Sequence, residues 1–200
     1  MALKFQYNKV AMQNLQKELK MRENALPTLK SKEAYLRITI KKQKQMLREL
    51  ENELLESRKE IQKNERLWAE FPESIVRIQS VKLREGNVAG IKVPDLDDIV
   101  YDISPTTSFL SPAWLPWGIE TARELKRKVV EIAISLEKIE LLEHARKKTT
   151  QKVNLYEKVQ IPEYSEAILR IKRFLEDVEN LDKAAQKITK SRQEAEARTW

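Results

Sequence analysis

Residues 36–61 read LRITIKKQKQMLRELENELLESRKEI, and within them Ile40, Leu47, Leu54 and Ile61 stand seven apart. The same step carried outward reaches Glu33, Leu26, Leu19, Met12 and Phe5 on one side and Trp68 on the other, so nine of the ten positions are apolar. The positions three residues further on are mixed. Leu15, Leu29, Leu36 and Leu50 are apolar, whereas Asn8, Arg22, Gln43, Ser57 and Asn64 are polar. A repeat averaging 3.5 residues, held this long, predicts a left-handed supercoil against a partner helix. A lone helix would have nowhere to bury that stripe.

Residues 125–188 supply a candidate partner. Leu125, Val129, Ile132, Leu136 and Ile139 keep alternating four- and three-residue steps, and so do Tyr164, Ala167, Ile171, Phe174, Val178, Leu181, Ala185 and Ile188. Between the two runs the same phase meets Glu143, Arg146, Thr150, Glu157 and Gln160, relieved only by Val153, which predicts a weak middle to the seam. All three glycines and five of the seven prolines lie between residues 69 and 120; the flanking arms keep only Pro27 and Pro162. Glycine and proline punctuate helices. The expected division is therefore an N-terminal coiled-coil helix over 1–68, an insert over 69–120 and a C-terminal coiled-coil helix over 121–200. The fold class this implies is mainly α, a long antiparallel two-helix coiled coil with a small β-hairpin-containing insert. At ~1.5 Å per residue, an arm of about 60 residues reaches on the order of 90 Å, the geometry of an axle or spacer.

Inside the insert, β-branched residues from Ile75 to Leu83 and again from Val88 to Val93 predict a hairpin. Its turn is expected at Glu85-Gly86-Asn87, and its second strand is expected to stop at Pro94. Asp95, Asp97, Asp98 and Asp102 read as a solvated acidic loop, followed by a loop holding Pro112, Trp114, Pro116 and Trp117 that folds back on the hairpin or the helix ends.

Signs of catalysis are few. There is one histidine, His144, and no cysteine, so neither a histidine-based zinc site nor a disulfide is expected. No phosphate-cradling glycine loop and no nucleophile elbow occur. The acidic loop lacks the glycine and closing glutamate of a calcium loop. No catalytic residue, cofactor or metal site is expected. With no apolar run of membrane-spanning length, a cytoplasmic setting is expected. The net charge of +7 divides as +7, −4 and +4 over residues 1–68, 69–120 and 121–200, so two basic arms flank an acidic insert. Basic groups stand out at Lys41, Lys42 and Lys44 and at Arg146, Lys147 and Lys148. If facing positions of the arms sum to about 189, the two groups share one height and form a collar suited to acidic groups of a surrounding protein.

Two stretches carry a family resemblance. Val153-Asn154-Leu155-Tyr156-Glu157-Lys158-Val159-Gln160-Ile161-Pro162 resembles the V-N-x-x-E-x-V-x-I-P signature of the V-type ATP synthase D subunit, and Ile168-Leu169-Arg170-Ile171-Lys172 continues that family's helix. Asn87, Gly90 and Pro94 fall on the family's N-x-x-G-[VI]-x-[VI]-P hairpin. The first arm is similar at Leu15, Leu19-Lys20-Met21, Leu29-Lys30, Lys32 and Leu36. The resemblance implies a non-catalytic central rotor shaft, peripheral to the membrane. Its implied partners are the A and B subunits, the small F subunit and the subunit that caps the membrane rotor ring. No direct nucleotide, nucleic acid or lipid binding is implied. The alternative on composition alone is a coiled-coil nucleic-acid-binding or scaffold protein, which explains the charge but neither motif.

Overall fold

The computed structural model describes residues 5–72, 74–104 and 112–197. Helix α1 runs Lys9–Lys63 and is followed by the short α2, Glu65–Ala69; strands β1, Val76–Val88, and β2, Ile91–Ile103, form an antiparallel ribbon; α3 runs Leu115–Leu155 and α4 Ile161–Ala197, joined by a π-helical turn, Tyr156–Gln160. The chain divides into two compact units, residues 32–148 and residues 1–31 with 149–200. Part of the expected Pro- and Trp-containing loop, residues 105–111, lies outside the described residues.

Helix α1 opens on Asn8, whose Oδ1 accepts the Ala11 amide at 2.6 Å, satisfying one of the donors that a helix start leaves open. It runs through Pro27 without a break. Every position of the seven-step series from Phe5 to Trp68 is buried or half-buried, as are Arg22, Gln43 and Ser57 in the companion series. Glu33 and Ser57 are tolerated in the seam because they are paired. Glu33, 12% exposed, accepts from Arg146 at 3.1 Å and Arg37 at 3.0 Å, while Ser57 accepts from Lys128 at 3.1 Å.

The partner seam keeps Leu125, Ile132, Ile139, Arg146, Thr150, Val153 and Gln160 of the expected series but moves its alternate positions one residue earlier. Leu125, Lys128, Ile132, Ser135, Ile139, Leu142, Arg146, Thr149, Val153, Tyr156 and Gln160 are among the buried or half-buried positions, whereas Val129, Leu136, Glu143 and Glu157 are exposed. The middle of the seam is therefore not weak, because Leu142, at 0% exposure, and Thr149 fill it. Val129 and Leu136 suggested the other phase because they are apolar, yet the lysine and serine beside them are the inward residues. Lys128 turns inward because its ammonium reaches Glu53 and Ser57 across the pair.

The π-turn then shifts this phase by one residue. The Ile161 amide donates to the Tyr156 carbonyl, five residues back, and Pro162 has no amide to donate. A proline ring crowds the carbonyl four residues before it, and one wider turn relieves that crowding. Beyond it Ile161, Tyr164, Ala167, Ile168, Ile171 and Leu175 are buried or half-buried, so the expected Tyr164, Ala167 and Ile171 hold while Phe174 is exposed.

In the unit of residues 32–148, the ribbon lies along the helix pair rather than only capping its end. Near its turn, Val93 packs with Leu36, Ile40 and Leu142, and Val88, Ala89 and Ile91 lie against them. At its base, Ile75 and Val76 pack with Leu115 and Ala122, flanked by Trp68, Phe71, Tyr101 and Ile119. Between the two clusters Lys138 donates to Asp95 at 2.6 Å, with the lysine side chain only 15% exposed.

The turn sits at Ala89-Gly90, not at Glu85-Gly86-Asn87, since Val88 pairs with Ile91. Ala89 at φ 52° and Gly90 at φ 79° form the left-handed pair that suits the twist of a two-residue hairpin. Pro94 does not end β2 either. In a two-stranded ribbon every strand is an edge, so a missing amide can face outward; Pro94 pairs with Glu85, and the strand continues to Ile103. The four aspartates thus belong to a strand, not a loop. Asp95, Asp98 and Asp102 stand opposite Arg84, Lys82 and Arg77. Asn tolerates the left-handed region far better than Ala. Ala89→Asn is expected to stabilise the chain by about 0.5–1 kcal/mol, read by thermal denaturation; an unchanged or lowered midpoint contradicts the strain at Ala89.

Helix α3 begins at Leu115, six residues before the expected boundary, so Trp117 and Gly118 belong to its first turn. A Cβ on Gly118 would lie 2.9 Å from the Trp114 ring and 3.2 Å from Phe71. The glycine lets the helix start close against the aromatic cluster of Trp68, Phe71, Trp114 and Trp117, whose neighbouring rings stand 5.1–6.2 Å apart.

Candidate interaction surfaces

The basic residues singled out in the sequence are staggered along the helix pair. Lys44 pairs with Glu143 at 2.6 Å and Arg146 with Glu33 at 3.1 Å. Arg146 thus reaches a residue eight positions before Lys41, and Lys44 reaches one three positions before Arg146. Lys41, Lys42, Lys147 and Lys148 are exposed. Burial pushes the Glu33 carboxyl up, but the hydrogen bonds from Arg146 and Arg37 outweigh it and hold the group below the usual carboxylate range. Two of the six cations therefore serve the pair itself, and four face outward. His144 is exposed on the same helix.

The signature around Pro162 forms a second locus. Arg22 lies over the rings of Tyr164 at 4.6 Å and Tyr156 at 5.9 Å, donates to Gln160 Oε1 at 2.8 Å, and pairs with Glu18 one turn before it. The hydrogen bond to Glu18 holds its guanidinium above the ordinary value, against the opposing effect of burial. Lys30 pairs with Glu157 at 2.6 Å. Pro27, between Arg22 and Lys30, is thus level with the π-turn rather than with Pro162. Among the signature residues, Val153 and Ile161 are half-buried, Asn154, Glu157, Val159 and Pro162 exposed. Arg22 was legible only as an anomaly, a long cation at a seam position; its aromatic neighbours lie across the pair.

In the hairpin, Asn87 Oδ1 accepts the Gly90 amide at 2.9 Å, tying the two motif residues into one turn. Val178, Leu181 and Ile188 of α4 continue an apolar stripe that stays exposed. No helix of the described residues is long and apolar enough to cross a membrane.

The family of the ATP synthase D subunit matches residues 11–191, which takes in the hairpin, α3, the π-turn and nearly all of α1 and α4. The chain belongs to the ATP synthase D-subunit family. It is similar to the V-type ATP synthase D subunit of Borreliella burgdorferi, at 33% identity over 178 residues and 87% of each chain. The V-type ATP synthase D subunit of Chlamydia abortus is 30% identical over 184 residues, covering 87% of this chain and 88% of the relative. That of Thermotoga neapolitana is 29% identical over 116 residues, 55% of each. Both motifs on which the resemblance rested fall inside the family match.

Proposed function

We propose that this D-subunit-family chain is the non-catalytic rotor shaft of a V-type ATP synthase or ATPase, carrying torque between ATP turnover in the A/B ring and ion transport in the membrane rotor. Its partners are then the A, B and F subunits and the cap of the rotor ring, and its place is cytoplasmic, peripheral to the membrane. The observation that carries the reading is the nearly unbroken seam of α1. Within residues 32–148, a helix pair joined at a polar seam position by Glu33–Arg146 and at its surface by Lys44–Glu143 resists twisting, as a torque carrier must. The exposed stripe of Val178, Leu181 and Ile188 supports a buried place for this end of α4 in an assembly. In this reading residues 1–68 and 121–200 form the shaft and residues 69–120 the insert that seats it. Purification of the tagged chain at native expression should recover the A, B and F subunits in fixed ratio; recovery of RNA or of unrelated proteins in their place would favour the nucleic-acid or scaffold alternative.

The π-turn belongs to the same reading. It gives the shaft one turn whose backbone bonding differs from the rest. Pro162→Ala restores an amide and is expected to raise the thermal midpoint of the isolated chain while lowering the coupling of ATP hydrolysis to ion transport. A stabilised variant that keeps full coupling would make the turn a packing feature without mechanical consequence.

A further inference from the structure

Between the C-terminal part of α1, the start of α3 and strand β1 lies an open groove of about 610 Å³. Ile78, Leu125 and Val129 form an apolar floor, with Ile78 and Val129 exposed, and Arg58, Arg77 and Lys126 stand around it. No carboxylate lines it. The cations next to it are compensated: Arg123 by Glu120, Arg127 by Glu131 and Lys128 by Glu53. Among the described residues, Arg58 and Arg77 have no such partner, and Lys126 spends a donor on the Val76 carbonyl, which leaves its charge standing. Three cations from three different elements thus stand around an apolar strip that no carboxylate lines, with Asp102 opposite Arg77 across the ribbon.

We infer that this groove docks a segment of a neighbouring protein subunit in which carboxylates flank apolar side chains. Guanidinium groups suit carboxylates because their paired N–H donors match the two oxygens. The aliphatic floor selects a peptide with apolar anchors over a bare anion, and it offers no aromatic platform for nucleic-acid bases. A second copy presenting the same face would set like charges against each other. The exposure of Val129, which the helix seam does not account for, follows from its place on this floor.

The inference relies on the proposed stalk role only for the partner being a subunit of the same complex, and subunit recovery reads that role separately. Zero-length carbodiimide coupling joins an amine to a carboxylate in direct contact. Applied to the intact complex carrying R58K/R77K, it should link positions 58, 77 and 126 to Asp or Glu of one segment of another subunit. That segment should also hold apolar residues, and coupling should exceed that at exposed Lys59 and Lys63. The charge reversal R58E/R77E should weaken binding of that subunit by about tenfold or more, and high ionic strength should weaken the wild type in the same direction. Both arginines are exposed, and circular dichroism of the isolated chain checks that the reversal leaves the fold intact. Coupling no greater than at Lys59 and Lys63 overturns the inference. So does linkage only to the chain's own carboxylates or to a second copy, or binding indifferent to both reversal and salt.

Discussion

Leu142→Ala is expected to destabilise the chain by about 2–5 kcal/mol, among the largest effects any single substitution should have here. The side chain is fully buried where α1, α3 and the hairpin meet, against Leu36, Ile40 and Val93. Truncation removes contacts to both α1 and the hairpin, and a cavity there can close only if the ribbon moves relative to both helices. Leu136→Ala, six residues earlier on the same helix, is expected to cost under about 1 kcal/mol, because that leucine is half exposed. The comparison reads the seam phase directly. Chemical denaturation in which Leu136→Ala costs as much as Leu142→Ala would return the seam to the Val129 and Leu136 phase.

The largest functional effect is expected from reversing Lys41, Lys42, Lys147 and Lys148 together to glutamate. None has a carboxylate partner in the described residues, and all four are exposed. Exposed ion pairs contribute about 0–1 kcal/mol each, so single reversals should be almost silent. The four together turn a cationic surface anionic, and if acidic groups of a partner meet that surface, like charges then repel. Assembly or ATP turnover should fall by about tenfold or more, while the isolated chain keeps its helix content and midpoint. Lys44 and Arg146 are left in place because Glu143 and Glu33 use them. Full turnover in the quadruple variant would make the cations an ordinary solvated surface.

The features legible in the sequence were those that depend on local periodicity. The α1 repeat survives position by position, since a helix cannot bury nine apolar residues of one stripe without a partner. The second arm misled because its apolar residues occur in two overlapping phases, and only contacts across the pair choose between them. Lys128 is inward for a reason that lies on α1, where Glu53 and Ser57 stand. Pro94 suggests a strand end through its usual effect in a sheet interior, which does not hold in a ribbon of two strands. Gly86 drew the turn to itself, although the left-handed pair is Ala89-Gly90, and an alanine gives no sign of a positive φ. At the candidate surfaces the basic residues were visible as a composition. Their division into Arg146 and Lys44, held by the fold, and four outward lysines required the opposing carboxylates. The Arg22 cluster and the groove at Arg58, Arg77 and Lys126 join residues from distant parts of the chain, so no local pattern announces them.

The central claim is that this chain turns. It has no cysteine, so Gln79→Cys on the exposed face of β1 offers a single attachment point for a gold nanorod. With the assembled complex fixed to glass through tags on its A subunits, addition of ATP should drive stepwise rotation of the nanorod in one direction. A nanorod that stays fixed in angle while the same molecules hydrolyse ATP would contradict the account.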